Sequence, residues 1–344
     1  MRETVTPRPR TTIADVARSA GTSTASVSYY LNGKLEKLGS DTQRRIAEVI
    51  RETGYVPNAQ AQKLQGKQTH VIAILILDNT NEWAGTFLAG VEQVAHTHGY
   101  ATMVCTSNFD TETELMYVEK MLSLGVDGFI VQPTRNFRVV SERISKTGTP
   151  LVLFDFAPYS RTYTCVKTNL YDGVYNATER LLEAGYEEFL TIASDMTRMR
   201  TRTERFQGFA DALAAQGIFH KAISIDHASP TERELREYFK FKLNPAKRTA
   251  IFVQNQWALG RVFKALQPMA HLIPEKIGLL GLNCTGWTNL TSPTVSTIVE
   301  PVHREGETAC EMLIELLDGY DGPVRQEALD CCLNWLESTS IAVG

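Results

Sequence analysis

Two periodicities divide the chain. From Thr12 to about residue 56 the apolar positions recur at helical spacing. Ile13, Val16 and Ala17 share one face, and Val27 and Leu31 share another. Thr12 and Asp15 form a capping-box pair at the first helix start, and Gly21 suits a tight turn. Ser23 suits an N-cap for a second helix, Thr24 to Leu31, and Ser40 with Gln43 predicts a capping box on a third helix running to about Glu52. From Val71 onward the pattern changes. Apolar runs such as VIAILIL (71–77), DGFIVQP (127–133), PLVLFDF (150–156), EFLTIAS (188–194), AIFVQ (250–254) and IGLLGL (277–282) alternate with amphipathic stretches. Helices are predicted near Phe87–Gly99 and Thr111–Leu124, with a strand ATMVCTS (101–107) between them. Continuous apolar strands separated by helices predict parallel sheets covered on both faces. The number of such units predicts two doubly wound lobes rather than one sheet.

Charge sharpens this division. The chain has 344 residues and a net charge of −4, but residues 1–66 carry +4 and the remainder −8. A small basic segment on a large acidic body predicts that the first part touches a polyanion. No apolar run approaches the roughly 18 residues of a membrane helix. The arm before Thr12 holds Arg2, Arg8 and Arg10 without an apolar stretch, so it does not read as a signal peptide. A cytoplasmic protein is expected, with no membrane association and all six cysteines reduced, including adjacent Cys331 and Cys332.

Two short helices around a glycine turn form a helix-turn-helix pattern. The second would place Thr24, Ala25, Ser28 and Tyr29 toward the base edges of a major groove, through hydrogen bonds, a methyl contact and a ring. Ser23, Asn32 and Thr42 are placed for phosphate contact.

The run TIADVARSAGTSTASVSYYLNG (12–33), the third helix, and GYVPNAQAQKLQGK (54–67) together resemble the lactose-repressor/galactose-repressor family. The resemblance covers nearly the whole chain. It implies an α/β architecture with an N-terminal three-helix helix-turn-helix domain (1–56) and a hinge helix (57–67). A two-lobed, periplasmic-binding-protein-like sensor domain (68–344) follows. The lobes are expected at about 68–167 with 297–328, and at about 168–296 with 329–344. In the family the hinge pairs with its dimer mate in the minor groove, which assigns Leu64 as a wedge between base steps, Ala61 as a close-approach residue and Asn58 as a further DNA contact. The segment is only about two turns long, so it is expected to order on DNA. A flexible tether with Leu64 packed on the sensor is the alternative.

Ligands bind at the carboxyl ends of strands and between lobes. The resemblance then assigns Arg205 as a clamp, Asp155 as an acidic contact, Trp83 as an aromatic wall and Asn283 as a hydroxyl binder. Arg202, Gln254, Asn255 and Lys167 complete the predicted site. Two positions depart from the family pattern, since Gln254-Asn255 stands for Asn-Asp and Asn283 for aspartate. Fewer carboxylates beside retained arginines predict an acidic sugar such as a uronate or a keto-deoxy sugar acid. A neutral sugar fits the remaining residues nearly as well.

Phosphate-cradling GxGxxG and GxxxxGK[ST] runs and the GxSxG elbow are absent from the sequence, and His96 and His98 face different sides of a helix. No enzyme, cofactor or metal is expected. The predicted function is a DNA-binding transcription repressor of carbohydrate genes, a homodimer gated by a sugar or sugar-acid effector. A sugar-binding protein without DNA binding, or a sugar-modifying enzyme, are the competing classes. The helix-turn-helix argues against the first and the missing catalytic groups against the second.

Overall fold

The computed structural model describes residues 11–56, 68–156, 162–196, 199–283 and 285–341. Asn58, Ala61 and Leu64 of the predicted hinge lie outside the described residues. The chain forms two compact units, residues 1–69 and 70–344.

In the small unit α1 (Ile13–Ser19), α2 (Thr24–Leu31) and α3 (Ser40–Thr53) enclose Val16, Ala17, Ala20, Val27 and Ile46. The capping box at Thr12 and Asp15 is present, and Ser23 Oγ caps α2 by accepting from the Ser26 amide at 3.1 Å. Gly21 turns the chain with φ +61°, a conformation that side chains disfavour. The predicted box at Ser40 and Gln43 does not form. Gly39 is the N-cap of α3, without a side-chain bond. Gln43 reaches back instead, donating through Nε2 to the Leu35 and Leu38 carbonyls at 2.9 Å each. Those carbonyls belong to a single 3₁₀ turn, Leu35–Lys37, and the residue after it.

In the large unit the first lobe contains β1 (Val71–Ile76), α4 (Glu82–Thr97), β2 (Ala101–Thr106), α5 (Thr111–Leu124), β3 (Gly128–Val131), α6 (Phe137–Ser145), β4 (Leu151–Phe154) and β5 (Cys165–Asn169). The second contains α7 (Leu170–Glu183), β6 (Glu188–Ala193), α8 (Arg200–Ala214), β7 (His220–Ser224), α9 (Glu232–Lys242), β8 (Thr249–Val253), α10 (Gln256–Leu266), β9 (Ile277–Leu282), α11 (Thr285–Thr288) and β10 (Ser296–Val299). The chain then returns as α12 (Val302–Leu317) and β11 (Gln326–Asp330) before β12 (Cys332–Asn334). The sheets run β11-β5-β4-β3-β1-β2 and β12-β10-β9-β8-β6-β7, parallel except for β12 against β10.

The strands explain their own apolar runs. Along β1, Ile72, Ile74 and Ile76 enter the core under α4 and α12, while Ala73 and Leu75 enter the opposite core under α5 and α6. Both faces are dry, so no polar alternation appears. The edge strand β2 is the exception, with Met103 and Val104 exposed. Helices α4 and α12 meet backbone to backbone: a Cβ on Gly306 would stand 2.1 Å from the Phe87 carbonyl oxygen.

The lobe boundaries differ slightly from expectation. Strand β5 extends to Asn169, β10 to Val299 and β11 to Asp330, and β10 lies in the second sheet. The crossings therefore fall at about 169/170, 300/301 and 330/331, each displaced two to four residues downstream because the strands end later than their apolar cores suggest.

Candidate functional site

In the small unit, helix α2 presents Thr24, Ala25 and Tyr29 outward, while Val27 points into the core. Ser28 is half-buried, and its hydroxyl accepts from Asn32 Nδ2 at 3.2 Å. Ser23 is committed to its cap, and Thr42 is half-buried near the start of α3. The outward surface therefore combines a hydroxyl, a methyl and a ring, flanked by an amide that stiffens the helix end.

In the large unit the carboxyl ends of both sheets face one cavity of about 550 Å³, within the range typical of small-ligand sites. One lobe contributes Asp78, Trp83, Gln132 and Asp155; the other contributes Ser194, Arg202, Arg205, Asn255 and Asn283. Trp83 stacks nearly parallel on Phe87, with centroids 5.7 Å apart, so its orientation is fixed by the core behind it. Across the cavity Trp257 stacks on His227 at 4.3 Å. The loop carrying His227 is anchored by Arg261, whose guanidinium donates to the carbonyls of Asp226, His227 and Pro230.

Two residues at strand ends, Asp155 (φ 48°) and Asn283 (φ 54°), occupy the left-handed region that non-glycine residues rarely adopt. Such conformations persist where surrounding bonds enforce them, and they cluster at binding sites. Here the enforcing bonds are visible. The Asp155 amide donates to Glu305 Oε1 at 3.0 Å, and its carboxylate accepts from Gln132 Nε2 at 2.7 Å. Asn283 donates to Glu300 Oε1 at 2.8 Å and accepts from the Glu300 amide at 2.9 Å.

Burial, reinforced by the charge of Glu300, pushes the Asp155 carboxyl up to about 7, with the Arg205 guanidinium opposing the rise. Burial likewise pushes Glu305 well above the usual carboxylate range, helped by Asp155 and Glu300. At the rim, burial would raise Asp78, but hydrogen bonds from Thr80 and Asn81 outweigh it and hold the carboxyl low. Amide donors from Ser229 and Ala228 do the same for Asp226.

Most polar groups in the chamber are thus already bonded to the protein. Among the described residues of the chamber, two buried donors are not: Arg205 Nε and Ser194 Oγ have no hydrogen-bond partner. Arg205 Nη1 is fixed by the Gln254 carbonyl at 2.9 Å, and Arg202 lies one helical turn away with Phe109 against its guanidinium.

The structure brings together six of the eight residues predicted for this chamber: Trp83, Asp155, Arg202, Arg205, Asn255 and Asn283. It does not bring in the other two. The Gln254 side chain turns into the sheet and donates to Thr191 Oγ1 at 2.8 Å, because successive residues at a strand end face opposite sides. Lys167 lines an adjoining cavity, which shares Asp155 and Met199 with the chamber, and is neutralised by Glu204 at 2.8 Å, in a pair that is only 22% and 14% exposed. Its strand is interior, between β4 and β11. The charge expectation also needs correction. Glu300 supplies a carboxylate beside Asn283, so the amide there does not make the chamber less acidic. Glu300 was legible in principle, since it directly follows an apolar strand, as Asp155 and Asn283 do. Glu305, inside a helix, carried no such signal.

A three-helix DNA-binding unit, followed in sequence by a two-lobed α/β unit with a chamber at its strand ends, defines a regulator of transcription with a sensor. Residues 12–58 match the family described as bacterial regulatory proteins, lacI family, and residues 178–339 match the periplasmic binding protein-like domain. The transcriptional regulator KdgR of Bacillus subtilis (strain 168) is 27% identical over 317 residues, 91% of this chain and 93% of that protein. The lac repressor dimer bound to operator and the anti-inducer ONPF shares the fold, with a TM-score of 0.81 at 20% identity over 97% of this chain and 100% of that one. The CelR–cellobiose complex superposes with a TM-score of 0.68 at 21% identity, covering 96% of this chain and 100% of that one. The chain thus carries a lacI-family DNA-binding domain followed by a periplasmic binding protein-like domain, and it is a DNA-binding transcription regulator. No described helix is long and apolar enough to cross a membrane.

Proposed function

We propose that this protein is a cytoplasmic repressor of carbohydrate genes that binds operator DNA as a homodimer and is gated by a sugar acid in the interlobe chamber. It has no enzymatic activity in this reading. The observation that carries the effector class is the pair of unpartnered buried donors, Arg205 Nε and Ser194 Oγ, in a chamber whose carboxylates are already bonded. Leaving buried donors unpaired is costly, and a ligand acceptor removes that cost. Carboxylate oxygens pair with a guanidinium better than sugar hydroxyls do. The lone pairs that the bonded carboxylates and amides around them still have free then accept from the hydroxyls. Operator DNA and a sugar, found separately with the lac repressor dimer and CelR, fit the same division of labour here.

A ligand touching both lobes favours one interlobe angle by the difference in its contacts to the two states. Coupling of that kind changes operator affinity by about 5- to 150-fold. The test is a mobility-shift titration on the protein's own upstream DNA, with a uronate, a keto-deoxy sugar acid and glucose as effectors. A sugar acid is expected to change operator affinity at lower concentration than glucose. A stronger response to glucose would eliminate the sugar-acid assignment, and no DNA binding at all would eliminate the regulator.

A further inference from the structure

We propose that Lys37 is a phosphate-contacting residue of the DNA-binding unit, held in place by Tyr29 of the recognition helix. The proposal rests on the regulator reading and adds to it a residue outside the helix-turn-helix proper. Lys37 Nζ stands 5.1 Å from the centroid of the Tyr29 ring, close enough for cation–π attraction. Tyr29 is on the outward face of α2, beside Thr24 and Ala25. Its ring therefore places a cation at the edge of the surface that would meet DNA.

The turn that carries Lys37 is fixed rather than loose. Its amides at Lys37 and Leu38 donate back to Lys34 and Leu35 at 3.2 and 3.0 Å. Gln43 ties the same turn to α3 through both Leu35 and Leu38 carbonyls. Leu38 packs on the helical core. Among the described residues no carboxylate forms an ion pair with Lys37, whereas Arg18, Arg44 and Arg51 each have one on their own helix. Among the described residues of this unit, the lysine oriented by an aromatic ring is thus also without an acidic partner. A cation so placed suits a phosphate, which carries no sequence information, while Tyr29 keeps its ring edge and hydroxyl for the groove.

The experiment measures the salt dependence of binding by the full-length protein to two duplexes, its own upstream DNA and a random sequence, from 50 to 200 mM salt. Each lost phosphate contact lowers the slope of log K against log salt by about 0.9. Lys37→Ala is expected to reduce the slope on both duplexes by about 1.8 for a dimer using both heads. Affinity should fall tenfold or more at the lowest salt. Lys37→Arg should restore the slope. Tyr29→Ala should lower the slope on both duplexes in the direction of Lys37→Ala and, in addition, lose affinity for the upstream duplex; an unchanged slope on both would overturn the role of the ring in holding Lys37. Lys37→Ala with an unchanged slope, whether or not its melting temperature falls, would reduce the residue to packing and overturn the proposal while leaving the regulator intact. Wild-type protein that binds neither duplex would overturn both.

Discussion

The two units treat their polar side chains in opposite ways. On the outward face of α2, Thr24, Ala25 and Tyr29 are exposed, and the polar groups that are bonded, Ser23, Ser28 and Asn32, bond within their own helix. In the large unit the polar residues at the strand ends are buried and bond across elements far apart in sequence: Gln132 to Asp155, Asn255 to Ser194, Asn283 to Glu300, Glu305 to Thr168. A surface for a solvated polyanion can leave its groups in water until the partner arrives. A chamber for a small ligand must be organised beforehand, because an unpaired polar group inside it is costly. The few groups left unpaired there consequently point to the ligand, whereas unpaired groups on α2 do not.

The largest expected effect breaks the large unit alone. Gly306→Val forces a side chain against the Phe87 carbonyl oxygen, a contact already 2.1 Å for a bare Cβ. Overpacking backbone against backbone should destabilise the large unit by about 3 kcal/mol or more. A denaturant titration followed by tryptophan fluorescence reads this unit specifically, since Trp83, Trp257, Trp287 and Trp335 all lie in it. The second effect is confined to the chamber. Arg205→Met removes charged hydrogen bonds and should weaken sugar-acid binding about 10- to 150-fold. Calorimetric titration measures it, and DNA binding without effector should persist.

A third prediction uses the buried carboxylates. Asp155 titrates at about 7 in the folded protein, above the unfolded value of 3.8. Between those values the folded chain holds a proton that the unfolded chain has released. Folding is therefore progressively less favoured as pH rises through this window, and the loss levels off above pH 7. The melting temperature of the large unit should fall from pH 6 to 7, by an amount equivalent to about 1 kcal/mol. Asp155→Asn should flatten that dependence. A melting temperature flat over the same interval, and unaltered by Asp155→Asn, would mean that the carboxyl is already ionised in the folded protein.

How much of this was legible in the sequence follows from the range of the interactions. Thr12 with Asp15, Ser23 and Gly21 act within a few residues, and their roles could be read locally. The strands of the large unit could be read because burial on both faces makes them uniformly apolar. Six chamber residues were reachable because the family resemblance assigns them within the segments that follow those strands. Gln254 was misplaced because the alternation of faces at a strand end decides which of two adjacent amides enters the chamber. Lys167 was misplaced because Glu204, 37 residues away, cancels its charge. The bond from Glu305 to Asp155 spans 150 residues and joins a helix to a strand end, a pairing that no periodicity encodes.

The smallest predicted effect tests the one local signal that failed. Ser40 and Gln43 have the spacing of a capping box, yet Gly39 caps α3 and Gln43 braces the preceding turn. Ser23 is a working cap with the same chemistry, one helix earlier. Ser23→Ala should therefore cost about 1 kcal/mol, the ordinary value for losing a serine cap, while Ser40→Ala should fall within about 0.5 kcal/mol of zero, as for an exposed substitution with no bond to lose. Thermal unfolding followed by helical circular dichroism on the two variants gives the contrast directly. Equal losses would mean that α3 is capped by Ser40 in solution. Gln43 would then be released from the turn, and the support it gives Lys37 beside Tyr29 would go with it.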